Sequence, residues 1–222
     1  MIKNKKHFFF AFLSFILLIC TNIIILFNTK FLFKYFSSKN DLAQSLNIPF
    51  ETLVSEYEKI ILYLRNPLIT KLSFNHFTLS NNGQQHFLEV KFILTYLFMI
   101  ASSIAIFLIF YLVYKKFFYS KTFLNQKTKT NLLICKNYFN SILLTILLIL
   151  GTFIIIDFDN LFIGFHKLFF NNDFWIFNVT TDSIITILPQ NYFMLCTIFI
   201  LIMLIIETLI INISIKKDVE KF

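Results

Sequence analysis

Four stretches of this chain are apolar for long enough to cross a bilayer, and that limits its fold before any motif is considered. The runs lie at about 8–27, 92–114, 139–156 and 193–214. Each reaches the roughly 17–25 residues needed to traverse about 30 Å of hydrocarbon at about 1.5 Å per residue. Composition agrees: of 222 residues, 57% are hydrophobic, 32 are Phe, and only three are Gly and three Pro. No water-soluble domain of this size needs so much apolar surface. The first run, "HFFFAFLSFILLICTNIIILF", exceeds the apolar core of a signal peptide and lacks a small-x-small cleavage site after it, so it reads as a retained span. Cys20, Cys135 and Cys196 fall in or beside the runs, without a C-x-x-C or a nearby histidine spacing that suggests zinc, and read as packing residues. The expected class is an all-α membrane protein, one integral membrane domain over 1–222.

The net charge of +8 raises the question of nucleic acid, and its distribution answers it. Lys3, Lys5 and Lys6 at the start, six lysines in 115–138, and Lys216, Lys217 and Lys221 at the end face only Asp218 and Glu220. The two other segments between spans, 28–91 and 157–192, hold eight basic and nine acidic residues. This is the positive-inside pattern, with both termini cytoplasmic and 115–138 a solvated cytoplasmic loop. Topology and anionic lipid account for the charge, so no nucleic-acid partner is expected. The bias toward Phe, Ile, Asn and Lys fits an AT-rich, bacterial genome.

Function is therefore sought in the outer segments. Asn47-Ile48-Pro49 predicts a helix start with Pro in the first turn, and Arg65-Asn66-Pro67 its end. Between them Leu53, Tyr57, Ile60, Ile61 and Leu64 recur at helical spacing, with Glu51, Glu56, Glu58 and Lys59 elsewhere on the wheel. Ser80 is placed to cap a helix that runs through His86 and Val90 into the second span. In the shorter segment Leu161, Phe162, Phe165, Leu168 and Phe169 form an apolar stripe, the pattern of an amphipathic helix lying in the interface plane.

Of the four histidines, His7 belongs to the cytoplasmic lysine cluster and His76 reads as a solvated turn residue. His86 and His166 lie on outer helices beside span ends. His86 stands about six positions, roughly 9 Å, above Phe92, at headgroup depth. Imidazole suits proton transfer near neutral pH, and Glu89, one turn on, can meet His86 on the same face. An outer histidine is equally a satisfied interface residue, and spacing alone leaves both readings open. No H-E-x-x-H, G-x-S-x-G, Gly-rich phosphate loop or metal-loop spacing is present, so a zinc protease, serine hydrolase or nucleotide enzyme is not expected. Glu207, inside the last span, is counted 14 residues or about 21 Å below Phe193 and read as a protonated, interhelical hydrogen-bonding residue.

Three stretches, "LVSEYEKIILYLRNP", "QQHFLEVK" and "FHKLFFNNDFWIFNVTTDSIITILPQNYF", resemble the bacterial lipoprotein intramolecular transacylases, a family of four-span membrane proteins. The third is the most specific: it supplies Phe165, His166, Phe169, Phe170, Asn172, Asp173 and Trp175, then Thr181, Asp182 and Ile185, then Leu188, Pro189 and Phe193, in the family's register. The second matches at His86, Val90 and Lys91, with Glu89 where Asp is usual. Val179 and Gln190 stand where Pro and Glu are common.

The resemblance implies a fold and a reaction. On a diacylated lipoprotein, the sn-2 acyl chain of the glyceryl thioether moves to the α-amine of the same N-terminal cysteine, giving the lyso-form. Amine and ester share one molecule, so the implied enzyme needs no cofactor and no nucleophile of its own, only orientation and proton transfer. It implies His86 and His166 as the acid/base pair at an extracytoplasmic site in the bacterial cell membrane. Glu89 and Asp173 are candidate orienters, Asp173 being as readily an Asn-Asp turn residue. Lys91, Asn172 and Tyr57 are supporting candidates, and Trp175 an interface anchor. Tyr57 and Tyr63 otherwise pack helices. The rival reading is a non-enzymatic structural or regulatory membrane protein whose outer helices bind lipid or a partner protein. A histidine-based metal sensor is a third, for which clustered ligands are lacking.

Overall fold

The computed structural model describes residues 2–118 and 126–220, with side chains over 5–114 and 130–217. Residues 119–125 of the expected cytoplasmic loop, and the last two of the tail, lie outside the described residues. The chain runs α1 (Ile2–Leu26), α2 (Phe31–Lys39), α3 (Leu42–Ser45), α4 (Phe50–Arg65), α5 (Asn81–Phe118), α6 (Gln126–Ile156), α7 (Phe158–Phe169), a 3₁₀ turn (Ser183–Ile187) and α8 (Gln190–Glu220). Among the described residues there is no strand. Four helices, over Lys5–Leu26, Asn81–Tyr114, Thr130–Ile156 and Gln190–Lys217, are long and apolar enough to cross a membrane. All four helices begin before the apolar stretches that announce them. Helix α6 begins at Gln126, inside the segment read as a loop, because helix propagation continues through Lys and Thr once nucleated.

The chain divides into two compact units. The first comprises Met1–Asn22, Phe98–Thr152 and Phe199–Phe222. Aromatic contacts hold it: Phe15 meets Phe139 edge-on at 5.6 Å and Phe10 lies 4.6 Å from Tyr111. Two polar pairs sit in this unit. The Asn22 carboxamide donates to Glu207 at 2.9 Å, the interhelical bond expected of Glu207, and Asn212 donates to Asn140 at 3.2 Å.

The second unit comprises Ile23–Leu97 and Phe153–Ile198. Helix α4 has the predicted stripe: Leu53, Tyr57, Ile60, Ile61 and Leu64 are all buried. Pro49 precedes its first helical residue, and Asn66 ends it. Tyr57 stacks on Phe33 at 3.9 Å and shares a 2.7 Å hydrogen bond with the Tyr192 hydroxyl.

Glu56 departs from the wheel-based expectation. It is only 1% exposed. Its carboxylate accepts from the Asn75 amide at 3.1 Å and from Lys59 at 3.1 Å, and pairs with the His76 ring at 3.0 Å. Burial alone would raise this carboxyl; His76, Lys59 and the Asn75 N–H together outweigh it and hold Glu56 below the usual range. His76 is thus exposed and in a bend, as expected, with one ring nitrogen on a buried carboxylate. A helical wheel shows which face is polar but not what returns to cover it.

Helix α5 starts where expected: Ser80 Oγ accepts the Gly83 N–H at 3.1 Å, an N-cap bond. A second carboxylate reinforces it, since Asp182 Oδ1 accepts the Ser80 N–H at 2.7 Å from across the unit. Thr78 and Ser183 exchange bonds of 2.8 and 3.2 Å beside it. These bonds fasten the loop before α5 to the loop before the 3₁₀ turn. Each of those loops adjoins a helix that carries one of the two candidate histidines, α5 for His86 and α7 for His166.

Candidate active site

His86 occupies the second turn of α5, and His166 the third turn of α7. Both are buried, 6% and 8% exposed. Their ring centroids are 5.8 Å apart. The walls are aromatic. His86 lies 4.7 Å from Phe170 and 5.5 Å from Phe177; His166 lies 4.2 Å from Phe162 and stacks on Trp175 at 4.7 Å. The two histidines that the sequence singles out therefore share one aromatic enclosure.

The ring nitrogens are held differently. His166 Nδ1 is 2.7 Å from the Phe162 carbonyl oxygen, an acceptor only, so Nδ1 carries the proton and Nε2 presents a lone pair. Burial holds His166 below the ordinary imidazole value, partly offset by that bond. His86 Nδ1 is buried without any hydrogen-bond partner. Such an orphan costs about 1–3 kcal/mol and is rare in native structures. Two positive charges 5.8 Å apart would repel by about 3 kcal/mol at an effective dielectric near 20, so the pair accommodates one proton far more readily than two.

A spectroscopic test follows from the His166 bond. In ¹⁵N-labelled protein at pH 6.5, the His166 resonances should be those of a neutral ring protonated at Nδ1. A titration midpoint above the ordinary value would contradict the arrangement.

The supporting candidates separate. Glu89 accepts from the Asn172 carboxamide at 3.0 and 3.2 Å and from Gln85 at 3.1 Å, and makes no hydrogen bond to His86. Glu89 and Asn172 thus form a brace between α5 and the loop after α7, which is how both reach the site's edge. Lys91 donates to the Asn66 and Ile69 carbonyls, both at 2.7 Å, and lies over the Tyr63 ring; it secures the end of α4. Tyr57 is bound to the Tyr192 hydroxyl, and no hydrogen bond joins it to either histidine among the described residues. Trp175, expected at the interface, stacks on His166. Asp173 is exposed, and its backbone carbonyl accepts the Ile176 N–H in a turn.

Two contributors had no signal strong enough to single them out. Phe177 sits between His86 and Gly83, and Asp182 ties down the start of α5. Nothing in the spacing of one phenylalanine among 32 distinguishes it. Asp182 stood in the matched T-D-x-x-I run, which was the available clue.

Comparison with solved structures finds the same fold. The membrane-integral lipoprotein intramolecular transacylase Lit from Bacillus cereus aligns with a TM-score of 0.81 and 21% identity, over 98% of this chain and 96% of that one. Two variants of the Bacillus cereus protein, with a histidine replaced by arginine or by alanine, align at 0.77, the first 23% and the second 22% identical; each covers 98% of this chain, and 92% and 94% of the variant chains respectively. At these identities the likeness is one of fold. Comparison with the curated proteins finds no match. The model of one family, described as lipoprotein intramolecular transacylase Lit, matches residues 8–193. That span takes in both histidines, the Glu89–Asn172 brace and all but the last helix of the membrane-crossing set: the chain belongs to the lipoprotein intramolecular transacylase family.

Proposed function

We propose that this multi-pass membrane protein transfers the sn-2 acyl chain of a diacylated lipoprotein to the α-amine of the lipoprotein's own N-terminal cysteine. The observation that carries the reading is the pair of buried imidazoles, 5.8 Å apart, one with its tautomer set by a backbone carbonyl and the other with an unpartnered nitrogen.

The chemistry needs a proton moved and two groups held together. An α-amine is protonated at neutral pH, with an ordinary value of about 7.7–8.0. His166 Nε2 takes that proton, and the freed nitrogen attacks the sn-2 ester carbonyl. His86 donates a hydrogen bond toward the oxyanion. The proton taken from the ammonium passes on to solvent; after attack the nitrogen gives up its second proton to the freed His166, and when the ester C–O bond breaks the glyceryl oxygen receives that proton and becomes a hydroxyl. One N–C bond replaces one O–C bond, and the mass is unchanged. Orientation of the two ends of one flexible molecule can supply several kcal/mol of the barrier, up to about 7–11 in well-oriented intramolecular reactions. The Phe and Trp side chains exclude water, which would otherwise compete with the amine for the ester.

Membrane placement fits this substrate. The positive-inside charge pattern supports cytoplasmic termini and a site on the extracytoplasmic face of a bacterial cell membrane, with the whole chain acting as a single integral domain and lipid, not nucleic acid, around it. Phe165, Leu168 and Phe169 on α7 are exposed in the protein alone, which suits a helix lying among lipid headgroups. In a cysteine-free background, cysteines placed at Asn82 and Thr180 should react with an impermeant thiol reagent on intact cells, and one at Thr128 should not. Labelling at 128 would overturn this orientation.

The decisive assay gives purified protein a diacylated lipopeptide. Fragment spectra should show one acyl chain moved from the glyceryl group to the amine, the parent mass constant. If a folded preparation yields no such product, the lipid- or partner-binding reading takes its place.

A further inference from the structure

A polar cleft of about 390 Å³ opens next to the histidine enclosure, at the start of α5. Ser80, Asn81, Asn82 and Gly83 form one side, and the loop carrying Asp173, Ile176, Asn178 and Asp182 forms the other. Its size falls within the roughly 300–1,000 Å³ of small-molecule sites. We propose that this cleft holds the first residues of the lipoprotein polypeptide that follow the lipidated cysteine. The inference rests on the transacylase reading above and adds to it where the peptide lies.

Geometry limits where those residues can go. The amine that reacts and the carbonyl that begins the rest of the polypeptide are attached to the same cysteine Cα. With the amine at His166, the next two or three residues must lie within about 3.3–3.6 Å per residue of the enclosure. They are polar main chain and cannot run into lipid, where unpaired N–H and C=O groups are costly.

The cleft adjoins the histidines through two shared walls. Gly83 is one helical turn before His86, about 4.5 Å along the helix axis. Phe177, between the cleft-lining Ile176 and Asn178 in sequence, separates the two compartments: its ring lies 5.5 Å from His86, and its Cε1 would be 3.1 Å from a Cβ at Gly83. On the other wall Asp173 separates Asn172, which holds Glu89, from Trp175, which stacks on His166. A peptide leaving the enclosure past Phe177 enters this cleft.

The lining suits main chain of varied sequence. Carboxamides at Asn81 and Asn82 each offer both donors and an acceptor, which pair with any extended backbone; Asn178, whose Oδ1 already accepts from the Thr180 N–H and hydroxyl at 3.0 and 2.8 Å, adds its amide hydrogens. Asp182 is already committed to Ser80 and Thr181, at 2.7 Å each. The Asp173 side chain makes no hydrogen bond among the described residues, so it is the charge an incoming peptide meets. No cation lines the cleft. Neutral or basic residues after the cysteine are therefore favoured over acidic ones.

The test compares two diacylglyceryl-cysteine substrates on the full-length protein, one amidated directly after the cysteine and one carrying four further neutral residues. The wild-type kcat/KM should favour the longer substrate about tenfold, the equivalent of one or two net hydrogen bonds. Asn82→Trp, an exposed position that fills the cleft, should bring that ratio toward one; Ile176→Trp, on the opposite wall, is the second variant. A longer substrate ending in Asp residues should lose most of the advantage. A wild-type ratio near one overturns the cleft assignment, as does an unchanged ratio in both variants. Turnover of neither substrate would instead sink the transacylase reading, and the cleft with it.

Discussion

His86→Ala and His166→Ala each remove nearly all acyl transfer while leaving the protein in the membrane in normal amounts. General acid–base catalysis contributes about 10²–10⁴-fold, so either loss brings lyso-form product to about a hundredth of wild type or less. The double variant should be little worse than the worse single one, because groups acting as a unit are not additive. His76→Ala serves as the contrast. That ring is bound to Glu56 and faces no other histidine, so its loss should leave transfer within a few-fold. The measurement is initial rate on a diacylated lipopeptide, with melting temperature in detergent as the control for folding. If His166→Ala still works at more than about a tenth of the wild-type rate, its role is packing, and the proton must travel through His86 alone.

The second large effect is expected at Gly83, which holds no special backbone angle: no glycine among the described residues has a positive φ. Helix interiors disfavour glycine by about 1 kcal/mol relative to alanine, so its presence needs a steric reason. A Cβ here would clash with Leu79 Cδ1 and lie 2.5 Å from Asp182 Oδ1 and 3.1 Å from Phe177 Cε1. Leu79 can swing aside. The Asp182 carboxylate cannot move without giving up the Ser80 N–H, and Phe177 cannot move without disturbing the wall against His86.

Overpacking of this kind costs about 1–3 kcal/mol, and a catalytic group displaced by about 1 Å can lose on the order of 10²-fold in rate. Gly83→Ala should lower the melting temperature and cut kcat by about tenfold, and Gly83→Leu should do both more severely. Activity within twofold of wild type in Gly83→Leu would show that the start of α5 does not position His86. Asp182→Asn separates the two causes. It keeps the shape of the side chain but removes the charge from the bond to Ser80, so it should reduce stability more than rate.

Much of this was legible residue by residue. The four spans follow from run length and hydropathy, which are local properties, and α4 buries the five residues its spacing indicates. Ser80 caps α5 as its position suggests, and the helix does carry His86 unbroken into the second apolar run. The family motif around His166 pointed to the second histidine. Contacts between distant segments were less accessible. Glu56 belongs on the polar side of its helix, yet it is buried because Asn75 and His76 fold back over it. Glu89 is one turn from His86, yet its carboxylate is drawn to Asn172, 83 positions away.

Hydrophobic periodicity thus determines which face of each helix turns inward, since burial of that face depends on the segment's own side chains. The partner of a polar side chain depends on which other segment arrives beside it, and that is settled when Asp182 and Ser183 fasten to Ser80 and Thr78. With those two loops joined, the imidazoles on α5 and α7 stand 5.8 Å apart. A ring nitrogen left buried without a partner is likewise a property of the assembled site, because no local pattern records which donors fail to reach it.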